Sequence, residues 1–303
     1  MGLTFANDVV TVRTPATSAN LGPGFDALGL ALTLYDDLEA RVTGDGFVVT
    51  VEGEGAGELP GDEEHLVVRA MLATFDALGE RPAGLVVNCA NGIPQARGLG
   101  SSSAAIVGGV QLARGLVRGG MKLIDDEDAL RIAARLEGHP DNVAPCLLGG
   151  YTIAWTEGAG ARAVRLATHE GVRPKVFVPT ERGYTASARA ALPSNVPHAE
   201  ASFNAGRAAL LTHAITGDPS LLFAATEDRL HQGYRAEAMP GTASLVASLR
   251  SVGVAAVVSG AGPTVLALSE VPAGFHPGTE WRAETLGVDA HGALVKGCMV
   301  ELA

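Results

Sequence analysis

Several short segments of the chain alternate hydrophobic and polar residues, or are continuously apolar, over five to ten positions. Both patterns are typical of β-strands. The predicted strands lie at residues 9–14, 47–55, 85–90, 151–157, 162–167, 174–180 and 293–302, with one more on each side of Gly260. Strands are therefore predicted in both halves of the chain.

Other segments place apolar residues three and four positions apart, which is the helical period. These predicted helices lie at residues 64–79, 101–116, 125–138, 186–192 and 202–215. The third starts with DDED, and acidic residues suit the positive end of a helix dipole. Because strands and helices do not alternate regularly, the order favours an α+β fold over a doubly wound parallel sheet.

A length of 303 residues is typical of two domains at about 150 residues each. The glycine-rich stretch at residues 155–163 is the candidate boundary, which gives domains 1–160 and 161–303. The same stretch is equally compatible with a hairpin loop.

Composition excludes several classes of protein. With 47% hydrophobic and 18% charged residues the chain should fold, and an excess of 33 acidic over 22 basic residues disfavours nucleic acid as a partner. The long apolar run at 252–268 is interrupted by Ser-Gly-Ala-Gly-Pro and predicts two strands around a turn, so no membrane association is expected. The start of the chain lacks a basic leader, which favours a cytoplasmic location. Cys89, Cys146 and Cys298 are widely spaced and are interpreted as core thiols rather than reactive ones.

The segment PQARGLGSSSAA, residues 94–105, follows a predicted strand and begins a predicted helix. Backbone N–H groups at a helix start bind anions, glycines let the backbone approach an oxyanion, and serine hydroxyls can bind phosphate oxygens or a cation. The alternative is an ordinary helix N-cap. A P-loop is excluded because none of the three lysines follows a glycine loop, and a third glycine for a dinucleotide fingerprint is missing.

A second polar cluster lies in LEGHPDNVAP, where Glu137, His139, Asp141 and Asn142 fall within six residues. Mg²⁺ prefers oxygen ligands and often uses one or two carboxylates beside phosphate. The alternative is that Asp141 or Asn142 caps the next helix.

Three separated motifs, PATSANLGPGFDALGLAL, PQARGLGSSSAA and VVSGAGPTVLAL, occur in this order. They resemble the superfamily of galactokinase, homoserine kinase, mevalonate kinase and phosphomevalonate kinase (GHMP). The stretches SANLGPGFDALG, EGHPDNVAPCLLGG and TASARAALP are similar to the homoserine kinase family within it.

The resemblance implies an amino-terminal nucleotide-binding domain, a carboxy-terminal ferredoxin-like domain and a site between them. It implies transfer of the γ-phosphate of ATP to L-homoserine in threonine biosynthesis, with Mg²⁺ bound by Ser102 and Glu137. The nucleotide-binding residues implied by the matching motifs are Pro94, Gly98, Leu99, Gly100, Ser101, Ser102, Ser103, Gly260 and Gly262.

The acceptor, L-homoserine, has a carboxylate, an ammonium group and a hydroxyl, so its site needs a guanidinium, an acidic or amide group and a polar group at the hydroxyl. The resemblance implies Arg189 and Arg235 for the carboxylate with Thr185 alongside. It implies Asn20 and Asp26 for the ammonium and Asn142 for the hydroxyl, and Asp26 is a minor candidate for a general base. Judged without the resemblance, the two arginines would be solvated and Asn20 and Asp26 would be turn residues.

Three positions depart from the family pattern: His65 stands in place of an asparagine near the adenine, Gly233 in place of a proline, and Ser103 where alanine is frequent. Similar proteins are often dimers, so a homodimer is a candidate assembly. The rival readings are a kinase acting on mevalonate or a sugar, a binding protein without turnover, and a scaffold with an accidental glycine loop.

Overall fold

A computed structural model describes residues 3–6, 8–183 and 185–296 of the chain. Its strands are β1 Val10–Ala19, β2 Leu28–Thr43, β3 Gly46–Gly53, β4 Gly84–Asn91, β5 Tyr151–Glu157, β6 Gly160–Leu166, β7 Lys175–Pro179, β8 Ala256–Val258, β9 Val265–Ala267, β10 Trp281–Thr285 and β11 Leu294–Lys296. Its α-helices are α1 Leu66–Leu78, α2 Ser101–Leu116, α3 Gly120–Leu123, α4 Asp126–Glu137, α5 Pro140–Leu148, α6 Thr185–Ala190, α7 His198–Thr216, α8 Leu222–Ala225, α9 Gln232–Arg235 and α10 Pro240–Ser251, with a 3₁₀ turn at Pro219–Leu221.

The larger sheet is mixed and follows the order β11-β1-β2-β4-β3. Strand β5 pairs with the first residues of β2, and β6 pairs with β5. Only the β3–β4 pairing in this described sheet is parallel. Helices α1, α2, α4 and α5 pack on one another, and α2 and α5 also lie against the sheet.

The smaller sheet has the order β10-β7-β9-β8 and is antiparallel throughout its described strands. Helix α10 packs against β8 and β9. One continuous hydrophobic cluster contains residues from both sheets, so the two sheets share a core. It includes Leu30 of β2 and Val107 of α2 together with Val176 of β7 and Leu266 of β9. The expected α+β fold is confirmed.

Local sequence explains where the principal helices begin and end. Helix α4 starts after Asp125, whose carboxylate accepts from the backbone N–H of Asp128, and ends at Gly138 with φ 91°.

In α2, a Cβ at Gly109 would lie 2.4 Å from the carbonyl oxygen of Val67, so glycine lets α1 and α2 approach closely.

The glycine-rich stretch at 155–163 forms the β5–β6 hairpin, in which Tyr151 pairs with Leu166. The hairpin interpretation is therefore correct for this segment, and the division of the chain after residue 160 stays a prediction. The last described strand, β11, returns to pair with β1.

The described cysteines are structural. Cys89 and Cys146 are buried, and burial raises the pKa of the Cys89 thiol to about 12 and that of Cys146 well above its usual value. Cys298 lies outside the described residues.

Candidate active site

A cleft pocket between the two sheets collects most of the residues singled out by the sequence. Those that line it are Asn20, Asp26, Gly98, Gly100, Ser101, Ser102, Glu137, His139, Asp141, Asn142, Arg189, Arg235, Gly260 and Gly262. Pro94, Leu99 and Ser103 are buried and do not line it. Thr185 begins α6, but its side chain lies outside what the structure describes.

We call residues 98–102 and 259–262 the phosphate end of the pocket. Gly100 precedes α2 with φ 72°, and no side chain caps the helix. The first-turn N–H groups of α2 are therefore the donors that this end of the pocket offers, which is the arrangement that binds anions. Gly100 is the N-cap residue, so the loop also forms the ordinary helix start that the sequence offered as the alternative, and anion binding there stays a prediction.

The glycines of the loop are required by its packing. A Cβ at Gly98 would lie 2.3 Å from the carbonyl oxygen of Ser259 and 2.8 Å from that of Gly262. A Cβ at Gly100 would lie 2.0 Å from the Thr17 hydroxyl. Both glycines also have positive φ, so side chains are excluded here by contact and by backbone conformation.

Hydrogen bonds join the two glycine segments directly. The Ser259 hydroxyl lies 2.6 Å from the carbonyl oxygen of Gly98 and 2.8 Å from the hydroxyl of Ser18. The backbone N–H of Gly260 donates to the carbonyl of Ala19 over 3.1 Å. These contacts form a seam between the sheets, and the seam is the floor of the phosphate end.

Ser102 and Glu137 meet across the pocket, with the hydroxyl donating to Oε1 over 2.7 Å. A hydroxyl and a carboxylate at this separation are the oxygen donors that suit Mg²⁺ when phosphate and water supply the remaining ligands. Ser103 differs, because its hydroxyl is buried without a hydrogen-bond partner. The structure thus brings Ser102 and not Ser103 to Glu137. No group of three or more His, Cys, Asp or Glu side chains among the described residues could hold a metal ion unaided.

We call Asp26, Arg189, Arg235 and Asn142 the acceptor end. Here the carboxylate of Asp26 and the guanidinium of Arg189 form a bidentate pair, with oxygen–nitrogen distances of 2.7 and 2.9 Å. This pairing raises the pKa of Arg189. The family resemblance assigned the two groups to opposite charges of the acceptor and did not predict that they bind each other.

Asn20 holds Asp26 in position. Its Oδ1 accepts from the Asp26 backbone N–H over 2.9 Å, and its Nδ2 donates to the carbonyl of Gly260 over 2.8 Å. Among the described residues, the non-glycine residues with left-handed φ are Asn20, Leu21, Asp26 and Ala96, all in the segments that carry the pocket. Such strain is typical of functional sites. Asn20 therefore supports Asp26 and also lines the pocket, and its role as a direct ligand of the ammonium stays a prediction.

Arg235 is 1% exposed, so the solvated alternative is wrong for it. Its Nε donates to the carbonyl of Ala188 over 3.1 Å, and its Nη1 lies 3.0 Å from Nδ1 of His231. Nε2 of His231 lies 2.8 Å from the carbonyl of Gly22, which can only accept. Nε2 therefore carries the proton, and Nδ1 accepts from Arg235. Burial lowers the pKa of His231 and favours this neutral form.

Asn142 lies in the first turn of α5, whose N-cap is His139, so the capping roles considered for Asp141 and Asn142 are wrong. The Thr17 hydroxyl donates to Oδ1 of Asn142 over 2.8 Å, which leaves Nδ2 as the donor that Asn142 can present. Nδ1 of His139 lies 2.5 Å from Asp141, and this hydrogen bond raises the pKa of His139.

Sequence reasoning left Arg97 and Thr17 without a role. Arg97 lines the pocket and donates to the backbone carbonyls of Gln95, Pro179 and Thr180, tying the loop to the end of β7. Arg97 directly precedes Gly98 in the sequence, but nothing in the sequence indicated that it would bind the carbonyls of Pro179 and Thr180, which are 82 and 83 residues away.

A second pocket adjoins the phosphate end and shares Ala96, Ser101, Ser102 and Gly183 with the first. His65 lines it and also caps α1, with Nδ1 accepting from the Val67 N–H over 3.3 Å. Nε2 of His65 is buried without a partner. Asp36 lines the same pocket, and burial raises the pKa of its carboxyl to about 7.

Comparisons with known proteins bear on this geometry. Residues 65–150 match the family described as GHMP kinases N terminal domain, and residues 207–273 match GHMP kinases C terminal. A homoserine kinase of Streptomyces coelicolor is 53% identical over 298 residues, which cover 97% of this chain and 96% of that protein. The chain belongs to the homoserine kinase family.

Other members of the family agree. The homoserine kinase of Clavibacter michiganensis is 52% identical and covers 95% of this chain and 94% of its own length. The crystal structure of homoserine kinase from Cytophaga hutchinsonii is 25% identical, has a TM-score of 0.81 and covers 98% of this chain and all of that one. As a homoserine kinase of the GHMP class, the chain is an ATP-dependent phosphotransferase. Within the part of the chain that the structure describes, no helix is long and apolar enough to span a membrane.

Proposed function

We propose that this chain transfers the γ-phosphoryl group of ATP to the side-chain hydroxyl of L-homoserine and forms ADP and O-phospho-L-homoserine, a step towards threonine. The observation that carries the proposal is one pocket with an uncapped helix start at one end and an acid facing two arginines at the other. An anion and an amino acid would meet in it.

The phosphates of ATP are assigned to the first turn of α2 and the hydroxyls of Ser101 and Ser102. The nucleoside is assigned to the adjoining pocket, whose walls include the apolar side chains of Leu59, Leu66 and Ala105. The buried Nε2–H of His65 is the hydrogen-bond donor available to the base there.

Mg²⁺ is assigned to Ser102 and Glu137 because their oxygens already converge. When bound, the ion neutralises charge on the phosphates. The Glu137 carboxylate and the Ser102 hydroxyl oxygen would be its protein ligands.

At the acceptor end, the carboxylate of homoserine is assigned to Arg189 and Arg235, and its ammonium to Asp26. Because Oδ1 of Asn142 accepts from Thr17, its Nδ2 is assigned to the hydroxyl oxygen, which it would orient towards the phosphate end. A loose phosphoryl-transfer transition state needs little help from a base, so positioning and charge neutralisation carry most of the acceleration. Asp26 is engaged with charged partners and is assigned to binding rather than proton transfer.

Two rival acceptors are less well matched to these residues. Mevalonate has a carboxylate but no ammonium, so it would take Arg189 from Asp26 and leave that acid without a cation. A sugar has neither charge, so it would gain nothing from Asp26 or the two arginines. A binding protein without turnover would not need Ser102 and Glu137 to converge. A homodimer and a cytoplasmic location stay predictions.

The first experiment measures ADP release from Mg-ATP with L-homoserine, L-threonine, mevalonate and galactose as separate acceptors. Turnover on homoserine alone is expected. Arg235→Leu should raise the KM for homoserine by about a hundredfold, since it removes one partner of a buried charge interaction. Arg282→Leu, a change at a largely exposed arginine of β10, is the matched control and should leave the KM unchanged. Turnover on another acceptor would overturn the specificity, and silence on all four would favour binding without turnover.

A further inference from the structure

The ion pair of Asp26 and Arg189 lies where the proposed acceptor must bind. We propose that this pair is an internal competitor that makes the acceptor end select a zwitterion, whose ammonium takes Asp26 and whose carboxylate takes Arg189. One ion pair is thereby exchanged for two. The inference rests on the proposed function, since it deepens the recognition of the acceptor.

The pair is built so that it can be opened. Both side chains are 38% exposed and line the same pocket. A partly exposed ion pair contributes little to stability, on the order of 1 kcal/mol or less. Arg189 lies on the six-residue helix α6, and Asp26 lies in the turn between β1 and β2. Neither side chain has another hydrogen-bond partner among those that the structure describes.

Arg235 contrasts with Arg189 because it cannot join such an exchange. It is buried and held by Ala188 and His231. Both guanidinium groups nevertheless lie over the ring of Phe25, with Cζ at 5.6 Å for Arg189 and 5.4 Å for Arg235. Both arginines line the cleft pocket, so a carboxylate bound there would have one fixed guanidinium and one released from Asp26 as its partners.

The selectivity follows from counting charges. A ligand with only a carboxylate gains Arg189 but takes it from Asp26, which then lacks its cation. A ligand with only an ammonium group gains Asp26 but takes it from Arg189, which then lacks its anion. A neutral ligand leaves the pair intact and gains neither partner. Only a ligand with both charges replaces what it removes, so the pair discriminates against each half of the zwitterion.

The exchange predicts that one substitution weakens the binding of one ligand and strengthens the binding of another. The simple loss of a contact would only weaken binding. In Asp26→Asn the competitor of Arg189 is removed, so a carboxylate without an ammonium should bind better while homoserine binds worse. Asparagine tolerates the left-handed φ of 55° at position 26 and preserves the local backbone.

The test is calorimetric titration of the full chain with L-homoserine, 4-hydroxybutanoate and 3-aminopropan-1-ol. These ligands carry both charges, only the carboxylate and only the ammonium group, respectively. In Asp26→Asn, homoserine should bind at least about tenfold more weakly, the loss of a charge-assisted hydrogen bond. The affinity for 4-hydroxybutanoate should rise by about fivefold, the upper range for a partly exposed ion pair. Arg189→Gln should give the mirror image, with a gain for 3-aminopropan-1-ol.

The matched control is Asp37→Asn, which removes the bidentate Arg13–Asp37 pair, with similar exposures of 41% and 42%, away from the cleft pocket. It should change none of the three affinities. The exchange is wrong if 4-hydroxybutanoate binds Asp26→Asn no better than the parent chain and 3-aminopropan-1-ol binds Arg189→Gln no better than the parent chain. This holds even when homoserine is turned over. If both of these affinities rise but homoserine is not phosphorylated, the exchange holds and the proposed function fails.

Discussion

The two ends of the cleft pocket are built in different ways. The phosphate end consists of backbone held against backbone, with Gly98 so close to Ser259 and Gly262 that no side chain fits between them. The acceptor end consists of charged side chains that find partners in one another, as Asp26 and Arg189 do. A backbone cradle binds any suitable anion, whereas paired charges distinguish between ligands. Substitutions at the two ends should therefore fail in different ways.

The largest effect is expected for Gly98→Ala. The new Cβ would lie 2.3 and 2.8 Å from two backbone oxygens, at a residue with φ 72°. Neither oxygen belongs to a flexible side chain, so we expect a loss of about 2–4 kcal/mol in the free energy of unfolding and strongly reduced turnover.

Chemical denaturation and ATP kinetics would measure both effects. Gly233→Ala is the control, because a Cβ there meets nothing within 4 Å, and it should be neutral or slightly stabilising. Equal stability of the two variants would contradict the close packing of the phosphate end.

Ser102 and Ser103 provide a neighbouring pair that separates ligation from packing. Ser102→Ala should lower kcat by about a hundredfold, the usual scale for a group that stabilises developing charge. Ser103→Ala should leave kcat unchanged and be neutral or stabilising, because it removes a buried hydroxyl without a partner.

Steady-state kinetics over a range of Mg²⁺ concentrations would check this, with Ser102→Ala requiring more of the ion. A larger loss in Ser103→Ala than in Ser102→Ala would reverse the assignment of the hydroxyls.

At the acceptor end the two arginines should respond differently to lysine. Arg235→Lys removes the fork that binds Ala188 and His231 in a buried position, and should raise the KM for homoserine by about thirtyfold. Arg189→Lys keeps a charge in a half-exposed position and should raise it by only a few fold. Initial rates at saturating ATP measure both values, and equal losses would mean that burial does not distinguish the two residues.

The smallest effect concerns pH and Asp36, whose carboxylate accepts from the N–H groups of Gly92 and Ile93 beside the phosphate end. Burial raises its folded-state pKa to about 7 from 3.8, so its stabilising contribution is complete below pH 3.8 and is lost as the pH rises through 7. Asp36→Asn keeps an acceptor for both N–H groups but has no proton to lose.

Between pH 6 and 7 the unfolding free energy of the variant should therefore rise relative to the parent chain, by about 1 kcal/mol. Urea denaturation at both pH values gives the difference. Parallel pH profiles would show that Asp36 titrates normally.

The sequence predicted the phosphate end better than the acceptor end for a physical reason. Gly98, Gly100 and Ser102 are neighbours in the chain, so their meaning is local: a turn and the start of a helix. Most of the predicted strands and helices were likewise found, because their periodicity is local. Strand β2 was not predicted, since its first five residues are buried without alternation and read as part of a motif.

The acceptor end joins positions 26, 142, 189 and 235, which only the fold brings together. The family resemblance supplied these residues, but it could not supply their contacts. The pairing of Asp26 with Arg189, the support from Asn20 and the anchoring of Arg235 by His231 all depend on distances that no local pattern encodes.

The seam formed by Ser18, Ala19, Gly98, Ser259 and Gly260 has a consequence for how the chain loses its structure. It joins residues about 240 positions apart, and Ser18, Ala19 and Ser259 in it are fully buried. Neither half can melt without exposing the binding surface of the other, so we expect a single cooperative heat-absorption peak rather than two. The closure of such distant segments also makes folding slow, because the entropy of a very long loop is lost before the contacts form. The glycine segments at the phosphate end are therefore expected to form, and to be lost, together with the rest of the fold.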